Sequence, residues 1–160
     1  MRKIWAYKSE FRNKVNKTMS RLSSFKINWC DAWGLFDDGI TSILVMGEKD
    51  IKIDFLVNMK KYTIDISSIE DKFIEQLEQI KIQELNGYSY HNFWIMDGNM
   101  WEIYICYDDI EIRSRGTNAY PIQLLKLMKY LHEELGLPVA EIEKNSTSEF
   151  NNSDITINKF

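Results

Sequence analysis

Two alternating runs separated by two aspartates constrain this chain more than any other stretch. The runs are "NMWEIYICY" (99–107) and "IEIRSRG" (110–116), and Asp108-Asp109 joins them. Alternation with period two is typical of β-strands, and a two-residue connection makes the strands antiparallel neighbours in a hairpin. A slip of one residue would exchange the two faces, so this register is well specified. The predicted cross-strand pairs are Tyr107–Ile110, Ile105–Ile112, Ile103–Ser114, Tyr104–Arg113 and Glu102–Arg115. We expect a cation–π contact in the Tyr104–Arg113 pair and an ion pair between Glu102 and Arg115.

A second hairpin is predicted just upstream. Asp97-Gly98 supplies the positive φ angles that a two-residue turn needs, and it lies between two aromatic and β-branched runs. This pairing would place Trp94 opposite Trp101. Further upstream, "ITSILVM", "IKIDFLV" and "KYTIDIS" are strand-like runs bounded by turn residues, and they predict an antiparallel meander with one buried face.

Two helices follow from apolar spacing and end signals. The first is predicted over Ser68–Ile80, where Ser67 and Glu70 fit a capping box. The second is predicted over Ala119–Leu135, with Thr117 or Asn118 as its cap and Pro121 in its first turn. The sequence therefore predicts an α+β fold, in which a single domain holds an antiparallel β-sheet of meanders packed with two or three helices.

Charge divides the chain into a basic arm and an acidic body. Residues 1–22 hold seven Lys or Arg and one Glu, a charge of +6, so the total of −4 leaves −10 for the remainder. Phe11, Val15, Met19 and Leu22 follow helical spacing, which predicts a basic amphipathic N-terminal helix over 1–22. Such a helix packs on the domain, contacts nucleic acid or an acidic protein, or lies on a membrane surface. We expect residues 40–136 to form the core of the single domain 1–160 and 137–160 to form a loop-like, mobile tail, in which "DITINKF" adds a last strand.

The second half of the chain contains Asp97-Gly98-x-x-Trp101 followed by Gly116-x-Asn118-Ala119-Tyr120-Pro121. This arrangement resembles a strand–hairpin–helix motif of small uncharacterised bacterial proteins, some of which occur among toxin-immunity or other conflict-system genes. The resemblance covers residues 93–136. It implies a shared local fold, in which Gly98, Trp101, Gly116, Asn118, Tyr120 and Pro121 have structural roles. We expect Tyr120 to pack between the sheet and the second helix.

The sequence offers few sites for chemistry. It contains no Cys-x-x-Cys, His-Glu-x-x-His or phosphate-binding glycine loop, and "DAWGLFDDG" (31–39) lacks the alternation and final glutamate of a calcium loop. The only histidines are His91 and His132, and a nucleophilic pair of Cys106 with His91 is a remote alternative. We expect no catalytic residue, cofactor or metal. No apolar run is long enough for a membrane span and no signal peptide is evident, so we expect a cytoplasmic protein with reduced cysteines.

Two functions stay open. The first is a non-enzymatic binding protein that neutralises a protein partner, a toxin or a nuclease, through an acidic and aromatic-rich surface. The second is a small-molecule, nucleotide or nucleic-acid binding domain that uses Arg113, Arg115 and Tyr104. Nucleic-acid binding through the basic arm is a weaker alternative, and no membrane partner is expected. The residues predicted to contact a protein partner are Asp31, Asp37, Asp38, Tyr88, Tyr90, Trp94, Asp97, Asp108 and Asp109.

Overall fold

The computed structural model describes residues 21–31, 39–47, 50–94, 98–139 and 155–160. Within them lie eight strands, two α-helices and a short 3-10 helix. The strands are β1 (Leu22–Asp31), β2 (Ile40–Met46), β3 (Ile51–Val57), β4 (Lys60–Asp65), β5 (Tyr88–His91), β6 (Asn99–Tyr107), β7 (Ile110–Thr117) and β8 (Thr156–Lys159). The helices are α1 (Glu70–Ile80), the 3-10 helix (Ile82–Leu85) and α2 (Ile122–Glu133).

All eight strands belong to one sheet with the order β4-β3-β2-β1-β6-β7-β5-β8. Every neighbouring pair is antiparallel except β5 and β7, which are parallel. The predicted α+β class is confirmed, and so is the meander, which is β2-β3-β4. The strand proposed in "DITINKF" is also confirmed as β8.

One face of the sheet, called here the inner face, is covered by α1 and α2. Phe25 of β1 contacts Phe73 of α1 with ring centroids 5.3 Å apart, and Phe73 in turn lies 5.8 Å from Tyr130 of α2. The aliphatic side chains of β3 and β6 that point the same way are almost fully buried in the same cluster. Burial of this continuous apolar surface is the main source of stability, because each fully buried side chain of this size contributes about 1.5–3 kcal/mol.

The hairpin at Asp108-Asp109 has the predicted register, since Tyr107 pairs with Ile110 and Glu102 pairs with Arg115. Asp108 adopts a φ of 49°, which aspartate tolerates in a turn. It also holds the start of β1, because its carboxylate accepts a 3.0 Å hydrogen bond from the amide of Arg21 and its own amide donates to the carbonyl of Arg21.

The hairpin predicted at Asp97-Gly98 is wrong. Trp101 pairs with Trp29 of β1 on one side and Gly116 of β7 on the other, so no edge of β6 remains for residues 93–96. Phe93 and Trp94 lie in a turn instead. The ten-residue strand β1, which the sequence analysis did not predict, therefore occupies the centre of the sheet.

The predicted helix starts also need correction. The N-cap of α1 is Ile69, and the Ser67 hydroxyl bonds to the Asp65 carboxylate rather than to the helix. Glu70 does not close a capping box, because its carboxylate accepts a 2.7 Å hydrogen bond from the amide of Leu22. The N-cap of α2 is Pro121, and no side chain caps this helix.

The N-terminal part of the chain is described only from Arg21 onward. Leu22 was predicted to lie on the apolar stripe of a helix, but it begins β1. The rest of the basic arm lies outside the described residues, and so does most of the predicted tail. Strand β5, at Tyr88–His91, occupies a segment that the sequence pattern did not assign to a strand.

Candidate functional site

The Gly116–Pro121 segment is a structural joint between β6, β7 and α2. The Trp101 indole donates a 2.8 Å hydrogen bond to the carbonyl of Ala119, and its ring covers Gly116 so closely that a Cβ there would lie 2.5 Å from the ring. Gly98 plays a matching role, since a Cβ at that position would collide with the side chain of Asn118. The two glycines therefore allow close packing that no other residue would permit.

The remaining motif residues complete the same joint. Asn118 has a φ of 54°, a left-handed conformation that asparagine adopts more readily than most residues, and its amide donates to the carbonyl of Asn99. Tyr120 is 7% exposed and its ring stacks on Trp29 at 5.0 Å, which confirms that it packs between sheet and helix. Burial raises the pKa of Tyr120, and hydrogen bonds from Asn99 partly offset that rise. Packing thus explains Gly98, Trp101, Gly116, Asn118 and Tyr120, and Pro121 begins the helix as its N-cap.

The opposite face of the sheet, called here the outer face, points away from α1 and α2 and carries charged and polar side chains. They form rows across the strands because residues in register point to the same side. One row contains Asn28, Glu102 and Arg115, and the next contains Cys30, Met100 and Thr117. His91 of β5 extends the second row, since it is in register with Thr117.

These rows border a groove of about 780 Å³, which we call the outer groove. A cavity of this size is within the range of small-molecule binding sites. Its lining comes from five strands, so no local sequence pattern predicts it. The side chains of the outer face that line it are Lys26, Asn28, Cys30, Thr41, His91, Met100, Glu102, Arg115 and Thr117.

An exposed aromatic pair adjoins the outer groove at His91. Phe93 stacks on the His91 ring with centroids 5.4 Å apart, and Phe93 and Trp94 are 73% and 83% exposed. The segment is anchored by buried Asn92. Its side-chain oxygen accepts a 3.1 Å hydrogen bond from the backbone amide of Trp94, and its backbone amide donates to the carbonyl of Thr117. The backbone of Trp94 is therefore tied to the sheet while its indole projects into solvent.

The structure separates the residues predicted to contact a partner. Tyr90 lies on the inner face, where its ring is 6.0 Å from that of Trp101, so it has a core role. Tyr88 is in register with Ser114 and is only partly exposed. Asp108 and Asp109 are exposed, but they lie beyond the other end of β6, where Asp108 is roughly 20 Å along the strand from Glu102 of the outer groove. The Asp31 side chain, Asp37, Asp38 and Asp97 lie outside the described residues.

The arginine site predicted as an alternative is divided as well. Arg113 lies 4.6 Å from the centre of the Tyr104 ring, as predicted, and also forms a 2.8 Å ion pair with Glu111. The pKa of Arg113 is raised, first by its hydrogen bond with Tyr104 and then by Glu111. Arg115 faces Glu102 in register, but the expected ion pair between these two described residues does not form. Only Arg115 borders the outer groove.

The nucleophilic pair of Cys106 with His91, considered from the sequence, does not form. His91 lies in the same row as Met100, and Cys106 is six positions further along β6. The thiol and the imidazole are therefore roughly 20 Å apart. Within the described ranges no three His, Cys, Asp or Glu side chains are placed to hold a metal ion. In the same part of the chain, no helix has the length and apolar character that crossing a membrane requires.

Comparison with known proteins adds no family to this description. No protein-family model matches the chain, and neither a curated protein nor a solved structure matches it significantly. Sequence reasoning found Trp94 and Arg115 but missed Lys26, Asn28 and His91. The alternation of Phe25, Ile27 and Trp29 with Lys26 and Asn28 was the available signal for the first two.

Proposed function

We propose that this protein is a non-enzymatic, cytoplasmic binding protein that neutralises a protein partner, a toxin or a nuclease. The observation that carries the proposal is the anchored display of Trp94 and Phe93 beside the outer groove. Tryptophan is among the residues that most often dominate binding energy at protein interfaces. An anchored backbone also reduces the entropy that is lost when a partner orders the segment.

Three further features support a binding role. The outer face lies opposite both helices, so a partner can cover it without disturbing the apolar core. The groove beside Trp94 provides the concave surface that a protruding side chain of the partner requires. The resemblance of the Gly98–Pro121 motif to proteins from conflict-system genes indicates the class of partner, a toxin or a nuclease.

The structure changes the surface that the proposal uses. The sequence-based hypothesis relied on acidic loops and on the Asp108-Asp109 tip, but that tip is distant from the groove. The interface proposed here is centred on Phe93, Trp94 and the outer groove. Its shape and aromatic content are expected to determine affinity more than a general excess of acid on the protein.

The test uses a toxin or nuclease encoded beside the gene for this protein, with binding measured by isothermal titration calorimetry. Trp94→Ala is expected to raise the dissociation constant at least tenfold, since a hot-spot residue contributes about 2 kcal/mol or more to binding. Ile122→Ala is the matched control, because Ile122 is also an exposed apolar residue but lies on α2. It should change the affinity less than about twofold, well below the roughly 1.4 kcal/mol that a tenfold change represents.

A growth assay checks the biological role. Cells that express the neighbouring toxin should survive with the wild-type protein and with Ile122→Ala, and should lose protection with Trp94→Ala at equal protein level. The proposal is wrong if the wild-type protein does not bind the neighbouring gene product, or if Trp94→Ala binds it as tightly as the wild type does.

A further inference from the structure

Three charged side chains line the outer groove without forming an ion pair. Lys26 comes from β1, Glu102 from β6 and Arg115 from β7, and all three are exposed. None of them takes part in an ion pair of the described structure. Two permanent cations against one carboxylate give the groove a net positive charge, although the chain as a whole carries −4. The sign of the groove is therefore opposite to that of the molecule.

Arg113 and Arg115 show how differently two arginines of one strand are used. They lie two residues apart on the same face of β7. Arg113 is occupied on both sides, by the Glu111 carboxylate and by the Tyr104 ring. Arg115 lies over the Phe160 ring, whose centre is 5.3 Å from its guanidinium carbon, and forms no ion pair with the part of the chain that the structure describes. An aromatic ring attracts the flat face of a guanidinium and leaves the N–H groups at its edge able to donate.

Further hydrogen-bonding side chains are placed beside Arg115. Thr117 follows it on the same face of the strand, and His91 is in register with Thr117. Asn28 shares the row of Glu102 and Arg115. A hydroxyl, an imidazole and an amide next to a guanidinium are the groups that hold a carboxylate or a phosphate in proteins, with the guanidinium binding two oxygens at once.

We propose that the outer groove is a binding site for an anionic group, a carboxylate or a phosphate, that Arg115 binds directly and Lys26 attracts. The site goes beyond the proposed neutralisation of a partner, because a free small anion can occupy it without any protein. The same chemistry also accepts an acidic side chain of a docked protein. Glu102 lies opposite Arg115 and repels a second negative charge, which favours ligands that present a single anionic group at this point.

The experiment is an NMR titration of the full chain labelled with nitrogen-15, using sodium phosphate and sodium acetate in separate arms and sodium chloride at matched ionic strength as the reference. Saturable shifts are expected at the amides of His91, Arg115 and Thr117 with one of the two anions. A preference for phosphate identifies a phosphorylated ligand, and a preference for acetate identifies a carboxylate; both results support the site.

Two variants distinguish a specific anion-binding site from nonspecific electrostatic attraction of anions to the protein. Arg115→Gln should weaken binding at least tenfold, a loss of about 1.4 kcal/mol for a charge-assisted contact, whereas Arg113→Gln should leave it within about twofold. Lys26→Gln provides a second test and should weaken binding severalfold. The inference is overturned if chloride produces the same shifts, if the two arginine variants weaken binding equally, or if no shift saturates at about 10 mM anion, tenfold above a dissociation constant of about 1 mM. Trp94→Ala should leave anion binding unchanged, so a failure of the anion-site proposal can be distinguished from a failure of the proposed binding to a protein partner.

Discussion

Gly116→Ala tests the packing of the joint on which the groove is built. In an open strand this change would stabilise the protein by about 0.5–1 kcal/mol, because glycine loses more backbone freedom on folding than alanine does. Here the new Cβ would lie 2.5 Å from Cε2 and Nε1 of Trp101 and 2.7 Å from Cζ2, whereas ordinary contact begins near 3.4 Å. Trp101 is 2% exposed, so the indole has no free space into which it can move.

The cost follows from two losses. Forcing an extra methyl group into a packed core costs about 1–3 kcal/mol. Displacing the indole also breaks the 2.8 Å hydrogen bond from Trp101 to the carbonyl of Ala119, which costs about 1 kcal/mol when both groups are buried. The expected destabilisation is therefore about 2–4 kcal/mol, or roughly 5–15 °C in melting temperature for a chain of this length. Urea denaturation followed by far-ultraviolet circular dichroism measures it without relying on tryptophan fluorescence.

A double-mutant cycle identifies the cause. Trp101→Leu removes all three contacting ring atoms, so Gly116→Ala in that background should be neutral or slightly stabilising. The coupling between the two changes should then reach about 2 kcal/mol or more, well above the few tenths expected for independent sites. If the two effects simply add, or if Gly116→Ala alone raises stability, the collision does not decide the choice of glycine at this position.

Other consequences of the structure can be measured in the same way. The Tyr107 hydroxyl is buried and meets no hydrogen-bond partner among the described residues, so Tyr107→Phe should leave stability unchanged or raise it by up to about 1 kcal/mol in urea denaturation. Tyr120→Phe removes the hydrogen bonds with Asn99 and should lower stability by about 1 kcal/mol. This reasoning is contradicted if Tyr107→Phe and Tyr120→Phe change stability equally. The pKa of Asp65 is lowered by hydrogen bonds from Ser67, so its stabilising contribution is present above the ordinary aspartate pKa of about 3.8 and is lost as the pH falls through the lower folded value. Asp65→Asn should therefore be less stable than the wild type at pH 7, and this difference should shrink at about pH 2.5; a constant difference would refute the assignment.

The sequence predicted the parts of the fold in which neighbouring strands are joined by short turns. The β6–β7 hairpin and the β2-β3-β4 meander were correct because alternation and connections of two to four residues specify both partners. The prediction failed where distant strands compete for one edge. Asp97-Gly98 is a strong local turn signal, yet β6 has only two edges, and β7 and the distant β1 take both of them. Ile27 pairs with Ile103, which lies 76 positions later in the chain, and no local pattern reveals such a pairing.

The candidate site was predicted only in part for the same reason. Trp94 and Arg115 stand out as single residues, but the outer groove exists only when five strands are arranged in the observed order. Lys26 and His91 belong to segments that the sequence did not assign to strands, so their position on the outer face had no basis in the pattern. The exposed display of Trp94 depends on Asn92, whose hydrogen bonds to the backbone become visible only in three dimensions.

The motif around Gly98 and Gly116 also indicates where function can vary. Gly98, Trp101, Gly116, Asn118 and Tyr120 are used in the joint, so these motif residues predict a local fold and carry no information about a ligand. Its unspecified positions include Met100 and Thr117, which are cross-strand partners and both line the outer groove. Substitutions at these two positions can change the shape of the groove without disturbing the stacking of Tyr120 on Trp29. We therefore expect proteins that share this motif to share the joint and to differ in what they bind, with the difference lying on the outer face of the sheet.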